Sequence, residues 1–141
     1  MRICVVDGQG GGIGSTIIKR LKEEFEETIE IIALGTNSIA TSAMMKARAN
    51  KGATGENAII RTVASADIII GSLGIIIANS MIGELTPKMA EAIASSPAKK
   101  FLLPLLQEQV EIIGVTLEPL PHMVEALVAK KLKKVINNVR S

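Results

Sequence analysis

The stretch "VVDGQGGGIG", residues 5–14, sets five glycines into positions 8–14 directly behind a β-branched run. Glycine reaches positive φ without steric cost and lets other backbone come close, but every glycine adds conformational entropy that folding must overcome. A plain strand–helix turn does not require so many. Two readings follow: a tight turn that binds nothing, or a backbone cradle for an anionic group at the start of a helix.

The flanking segments decide the fold class. Residues 2–7 form a short apolar run, and residues 15–25 carry Ile17, Ile18, Leu21 and Phe25 at helical spacing with Lys and Glu between them. Strand, glycine loop, helix and strand in this order open a doubly wound α/β fold. Further strands are expected at 30–34, 66–70, 100–103 and 110–115, the first two being continuous apolar runs suited to parallel strands covered on both faces. Helices are expected at 38–50, 55–65, from Thr86-Pro87 onward, and at 121–138. Six residues between Leu103 and Val110 are too few for a parallel crossover with its helix, so the last two strands should pair antiparallel. The expectation is one Rossmann-like domain over residues 1–141. It is a three-layer α/β sandwich on a mostly parallel five-strand sheet with an antiparallel edge strand.

Connection geometry places the polar residues. A helix leading into a parallel strand descends from the carboxyl edge of the sheet, so "KGATGEN" (51–57) should sit at that edge beside the glycine loop. The 38–50 helix reads as an excursion over the same edge, and residues 71–85 as a second one. Ligands of open α/β sheets bind there. Gly8, Gly10, Gly11, Gly12, Gly14 and Ser15 are the candidates for an anionic group, and Thr36, Asn37, Thr54 and Asn57 for the rest of a ligand.

The spacing Gly8-x-x-x-Gly12-Ile13-Gly14 does not fit G-x-G-x-x-G and instead resembles the loop of short-chain dehydrogenases. The chain has no tyrosine, so the Tyr-x-x-x-Lys pair of those enzymes is excluded. The end of the second strand reads "ALGTN", without the carboxylate that grips the ribose of NAD or an arginine for a 2′-phosphate. NAD(P) and other nucleotides stay open as ligands. Asp7, facing the loop, either acts as an acid/base, holds a cation or ligand hydroxyl, or ties down its own loop. Glu56 is either a base or a residue favoured by the helix dipole. Glu84 and Thr86, in "GELTP", either close the site or lead into a helix.

Other residues are quieter. His122, the only histidine, should start the last helix at the amino edge in a structural role, and Asp67 lies at the amino end of a strand. One His, one Cys and two Asp form no metal cluster. Cys4 lies in the first apolar run as a small hydrophobe. A net charge of +2 gives no case for a polyanion partner, and two Phe with no Trp or Tyr leave no stacking platform for nucleic acid. The "KKLKK" run at 130–134 reads as a solvated helix face. With no spanning apolar stretch and no leader pattern, the expected location is the cytoplasm, with no membrane partner.

The stretches "VVDGQGGGIG", "ALGTNSIATSAMMKARANKGATGENAI" and "GELTPKMAEAIASSPAKK" resemble a small uncharacterised bacterial family with a Rossmann-like fold, one of the domain-of-unknown-function families. The resemblance implies that fold and a shared site and carries no activity. The expected function is binding of a nucleotide, dinucleotide or other small phosphorylated metabolite. Either an enzyme using Asp7 or Glu56 or a non-catalytic ligand sensor acts on it. Mean hydropathy of +0.37 and the apolar cluster at 73–83 point further to a homo-oligomer, a dimer first, with 73–83 at the interface.

Overall fold

Alternate residues of β1 (Arg2–Asp7) feed two separate cores, Ile3 and Val5 on one face and Cys4 and Val6 on the other. This period-two burial makes the strand the centre of a three-layer sandwich. The computed structural model describes residues 1–105 and 109–140. After β1 come α1 (Gly12–Phe25), β2 (Glu30–Gly35), α2 (Ser38–Lys46), β3 (Lys51–Thr54), α3 (Glu56–Val63) and β4 (Ile68–Ser72). Then follow α4 (Pro87–Ser95), β5 (Lys99–Leu103), and α5 (Leu120–Ala126), which continues through a π-helical stretch, Leu127–Leu132, into α6 (Lys133–Arg140).

The strands lie in the order β3-β2-β1-β4-β5, and all four ladders are parallel. Helix α1 and the C-terminal helices cover one face through Ile17, Ile18, Leu21, Val124, Val128 and Leu132. Helices α3 and α4 cover the other through Ile59, Val63, Met89 and Ile93. The fold is α/β and Rossmann-like, as the sequence implies. No helix among the described residues is long and apolar enough to cross a membrane.

Three expectations are corrected. The antiparallel edge is not found among the described residues: residues 110–115 lie outside the sheet, with only an isolated bridge at Val110. The fifth strand is β3, which pairs with β2 from Ile32↔Lys51 to Gly35↔Thr54. Its sequence, KGAT, lacks an apolar run because it is a largely exposed edge held by ladder hydrogen bonds. The helix expected at 38–50 ends at Lys46 and is the crossover between β2 and β3, not an excursion.

The third correction concerns His122. The C-terminal helices run alongside α1, with Arg20 donating to Glu125 at 2.7 and 3.0 Å and Lys133 lying 3.9 Å from Glu24. Pro121 and Val124 share a cleft with Thr16 and Lys19 near the start of α1. Exposed His122 therefore stands toward the carboxyl edge, because the antiparallel return that would carry it to the amino edge does not form. Asp67 is at the amino edge as expected, accepting the Arg2 N–H at 2.7 Å.

Candidate functional site

Asp7, Gly35 and Thr54 are aligned across three neighbouring strands, so the loops after β1, β2 and β3 leave the sheet in one row. Strand order reverses between β1 and β4, and the crevice outside the carboxyl ends at such a reversal is the usual ligand position.

The glycine loop is organised around Asp7, which is 4% exposed. Its Oδ1 accepts the Gly8 N–H at 2.8 Å and its Oδ2 the Gly14 N–H at 2.7 Å, so one carboxylate spans the loop and caps α1. Burial pushes the Asp7 carboxyl above its ordinary value; the amides of Gly14, Gly8 and Ile13 pull it back, and the charge on Glu84 adds to the rise. Ser15 spends its hydroxyl on Gly11 O at 2.6 Å.

Three of the five glycines answer to the chain's own packing. A Cβ at Gly8 would lie 2.5 Å from Thr36 Oγ1 and 2.6 Å from Met81 Sδ. Gly11 has φ +75° and would meet Ala40 O at 2.8 Å, while Gly14 would meet Met44 Sδ at 2.5 Å. Gly10 and Gly12 differ. A Cβ at either meets nothing within 4 Å, and neither amide has an acceptor among the described residues.

Above the loop stands Glu84. Its Oε1 accepts three hydrogen bonds, from Gln9 N at 2.9 Å, Thr36 Oγ1 at 2.7 Å and Asn37 Nδ2 at 2.7 Å. The Gln9 amide, then the Thr36 hydroxyl and the Asn37 amide, hold the carboxyl below its ordinary value against the opposing effect of burial. Asn37 is fixed in turn, its Oδ1 capping α2 at Ala40 N (2.9 Å) and its Nδ2 also donating to Gln9 O (3.0 Å). The carboxylate that "ALGTN" lacks at the end of β2 is thus supplied by Glu84, 48 positions beyond Thr36. No local signal links the two segments, so the sequence offers Glu84 only as a residue that either closes the site or leads into a helix.

The second polar group lies apart. Exposed Thr54 pairs its hydroxyl with Thr41 at 2.7 Å, a partner the sequence does not single out. Glu56 accepts the Thr86 hydroxyl at 2.5 Å, while Thr86 Oγ1 caps α4 by accepting Met89 N at 3.2 Å. Asn57 is exposed. Residues 84–86 therefore join the glycine loop to the start of α3 through the side chains of Glu84 and Thr86.

The segment between β4 and α4 folds back over the core instead of standing in water. Ile75, Met81 and Leu85 are buried, and of its large apolar side chains only Ile82, 96% exposed, projects into solvent. Asn79, Met81 and Ile82 all hold positive φ, at 67°, 58° and 56°. A β-branched residue in that region is strained. The apolar cluster at 73–83 is thereby mostly covered within the chain itself.

The chain belongs to the family described as a domain of unknown function (DUF3842), which matches residues 2–137. No curated protein and no solved structure matches it.

Proposed function

We propose that this member of a domain family of unknown function binds a nucleotide or dinucleotide with a free ribose diol at the carboxyl edge of its sheet. The observation that carries this reading is the Glu84 carboxylate at the end of β2. Its Oε1 is saturated, and its Oε2 makes no hydrogen bond among the described residues. A carboxylate there accepts ribose hydroxyls, and hydrogen bonds to a charged acceptor are among the stronger ones. The amides of Gly10 and Gly12 supply donors for a phosphate at the start of α1. Thr36 and Asn37 act through Glu84, while Gly8, Gly11, Gly14, Ser15 and Asp7 shape the loop. Thr54, Glu56 and Asn57 border the ligand's far end.

The reading is of binding first. Asp7, one acid/base candidate, spends both carboxylate oxygens on internal donors, and Glu56, the other, spends one on the Thr86 hydroxyl. A ligand-sensing role is favoured by the strained residues 79–82, because a ligand that draws Glu84 from Gln9 releases that segment.

Thermal shift and calorimetry with AMP, ADP-ribose, NAD, NADP and a sugar phosphate test the proposal. ADP-ribose and NAD should raise the melting temperature, since a ligand of the native state stabilises it by an amount that grows with the logarithm of its concentration above Kd. NADP should not, because its 2′-phosphate meets Glu84. A flat response to every compound overturns the binding reading, and equal affinity for NAD and NADP overturns the role of Glu84.

A further inference from the structure

The glycine loop is narrow where it leaves β1, because Gly11 N donates to Gly8 O at 3.0 Å and closes one tight turn. Two segments press on the ends of that turn. A Cβ at Gly11 would meet Ala40 O at 2.8 Å, in the first turn of α2, and a Cβ at Gly8 would meet Met81 Sδ at 2.6 Å, in the segment after β4. Each of these contacts has a large, uncovered aliphatic neighbour in sequence: Ile39, beside Ala40, is 69% exposed, and Ile82, beside Met81, is 96% exposed. Ile82 also holds φ +56°, so the chain bears the strain of a left-handed β-branched residue and recovers no packing from it. Strain of this kind collects where a ligand is gripped.

We infer that Ile39 and Ile82 take the base of the bound nucleotide as an aliphatic clamp, and that this clamp selects a purine; the inference rests on the reading of Glu84 as the ribose acceptor. The two isoleucines flank that acceptor, each two residues from the Asn37–Glu84 hydrogen bond of 2.7 Å. In a nucleotide the base stands on the carbon next to the 2′ hydroxyl. A ribose resting its diol on Glu84 Oε2 therefore carries its base alongside the same carboxylate, where these two side chains await cover. No aromatic ring competes for the role. The chain has no Trp or Tyr, Phe25 is buried in the core, and Phe101 lies on β5, across the sheet from β2. Contact with aliphatic side chains carries no hydrogen-bond code and grows with the apolar area removed from water, so the larger ring system is favoured over the smaller. The strain at Ile82 then has a use, since it holds out over the loop a side chain that only the ligand covers.

Three probes that share one ribose and one phosphate test it: AMP, CMP and ribose 5-phosphate, titrated into the full chain by NMR so that weak binding is measured. Affinity should fall in that order. Ile82→Asn and Ile39→Ser should each weaken AMP by about tenfold, the effect of removing one apolar side chain from the contact. Both should leave ribose 5-phosphate unchanged, because the loop amides and Glu84 are untouched. Ile82→Asn should do this while raising the melting temperature of the free protein, so a loss of affinity through misfolding is told apart. AMP and ribose 5-phosphate binding equally well overturns the clamp and leaves the ribose and phosphate contacts standing. AMP and CMP binding equally well overturns the selection of a purine. Unchanged AMP affinity in both variants overturns the inference, and so does an equal loss for AMP and ribose 5-phosphate. No binding of any probe overturns it together with the nucleotide reading.

Discussion

Glu84 Oε1 lies 2.9 Å from the backbone nitrogen of Gln9, 75 positions earlier in the chain. The contact fastens the segment before α4 onto the glycine loop, with Met81 Sδ against Gly8 beside it. A carboxylate of the chain itself therefore occupies a loop amide at the place where Rossmann-like folds receive their ligands.

Glu84→Gln should destabilise the protein by about 1–2 kcal/mol at pH 7, since three donors lose a charged acceptor. The folded-state pKa of Glu84 is depressed, so this stabilisation is complete above the ordinary carboxylate value and disappears as pH falls through the lower folded-state value. Urea unfolding of both proteins between pH 7 and 3 should show the gap narrowing as the pH falls. A gap independent of pH would count against the ionised contact.

Gly12→Val should leave the fold intact and abolish nucleotide binding, because its Cβ meets open space within the chain. Gly8→Ala should do the reverse in stability, costing about 1–3 kcal/mol as the new methyl collides with Thr36 and Met81. Circular dichroism melts with parallel calorimetric titrations separate the two. Unchanged nucleotide affinity in Gly12→Val would remove the phosphate cradle from the proposal.

Ile82→Asn should raise stability by roughly 1 kcal/mol, because Asn tolerates the left-handed backbone that a β-branched residue resists. The side chain it replaces is almost fully exposed, so little packing is lost. A lower melting temperature would mean that Ile82 packs against something in solution.

Asn50→Ala should cost about 1–3 kcal/mol, well away from the site. Asn50 Oδ1 accepts the Ile31 N–H at 2.8 Å and the ammonium of buried Lys22 at 3.2 Å. Among the described residues Lys22 keeps only exposed Glu27, at 3.3 Å, once that oxygen is gone. Chemical denaturation with an unchanged midpoint would show that water replaces the amide at no cost.

Much of the architecture is legible in the amino-acid sequence alone. The apolar runs of β1, β2 and β4 are continuous because those strands are buried on both faces, and such runs have no comfortable place except the middle of a covered parallel sheet. The glycines mark where the backbone must turn or approach closely, and Thr86-Pro87 marks the start of α4 at the residue where it begins. These are local properties, carried by neighbours in sequence.

The edges of the sheet and the chemistry of the site are not local. Whether 51–54 or 110–115 joins the sheet depends on which backbone finds a free ladder, and Lys51–Thr54 wins beside β2 with hardly an apolar side chain. That choice also sets His122 toward the carboxyl edge instead of the amino edge. Likewise the end of β2 carries no acid of its own, and the carboxylate at that point arrives from Glu84 only when the segment after β4 folds back. Hydrophobic periodicity determined the layers, because burial is set residue by residue along a strand. Hydrogen bonds between distant backbones and one long-range carboxylate determined the edges and the site, and only the folded chain brings those groups within reach.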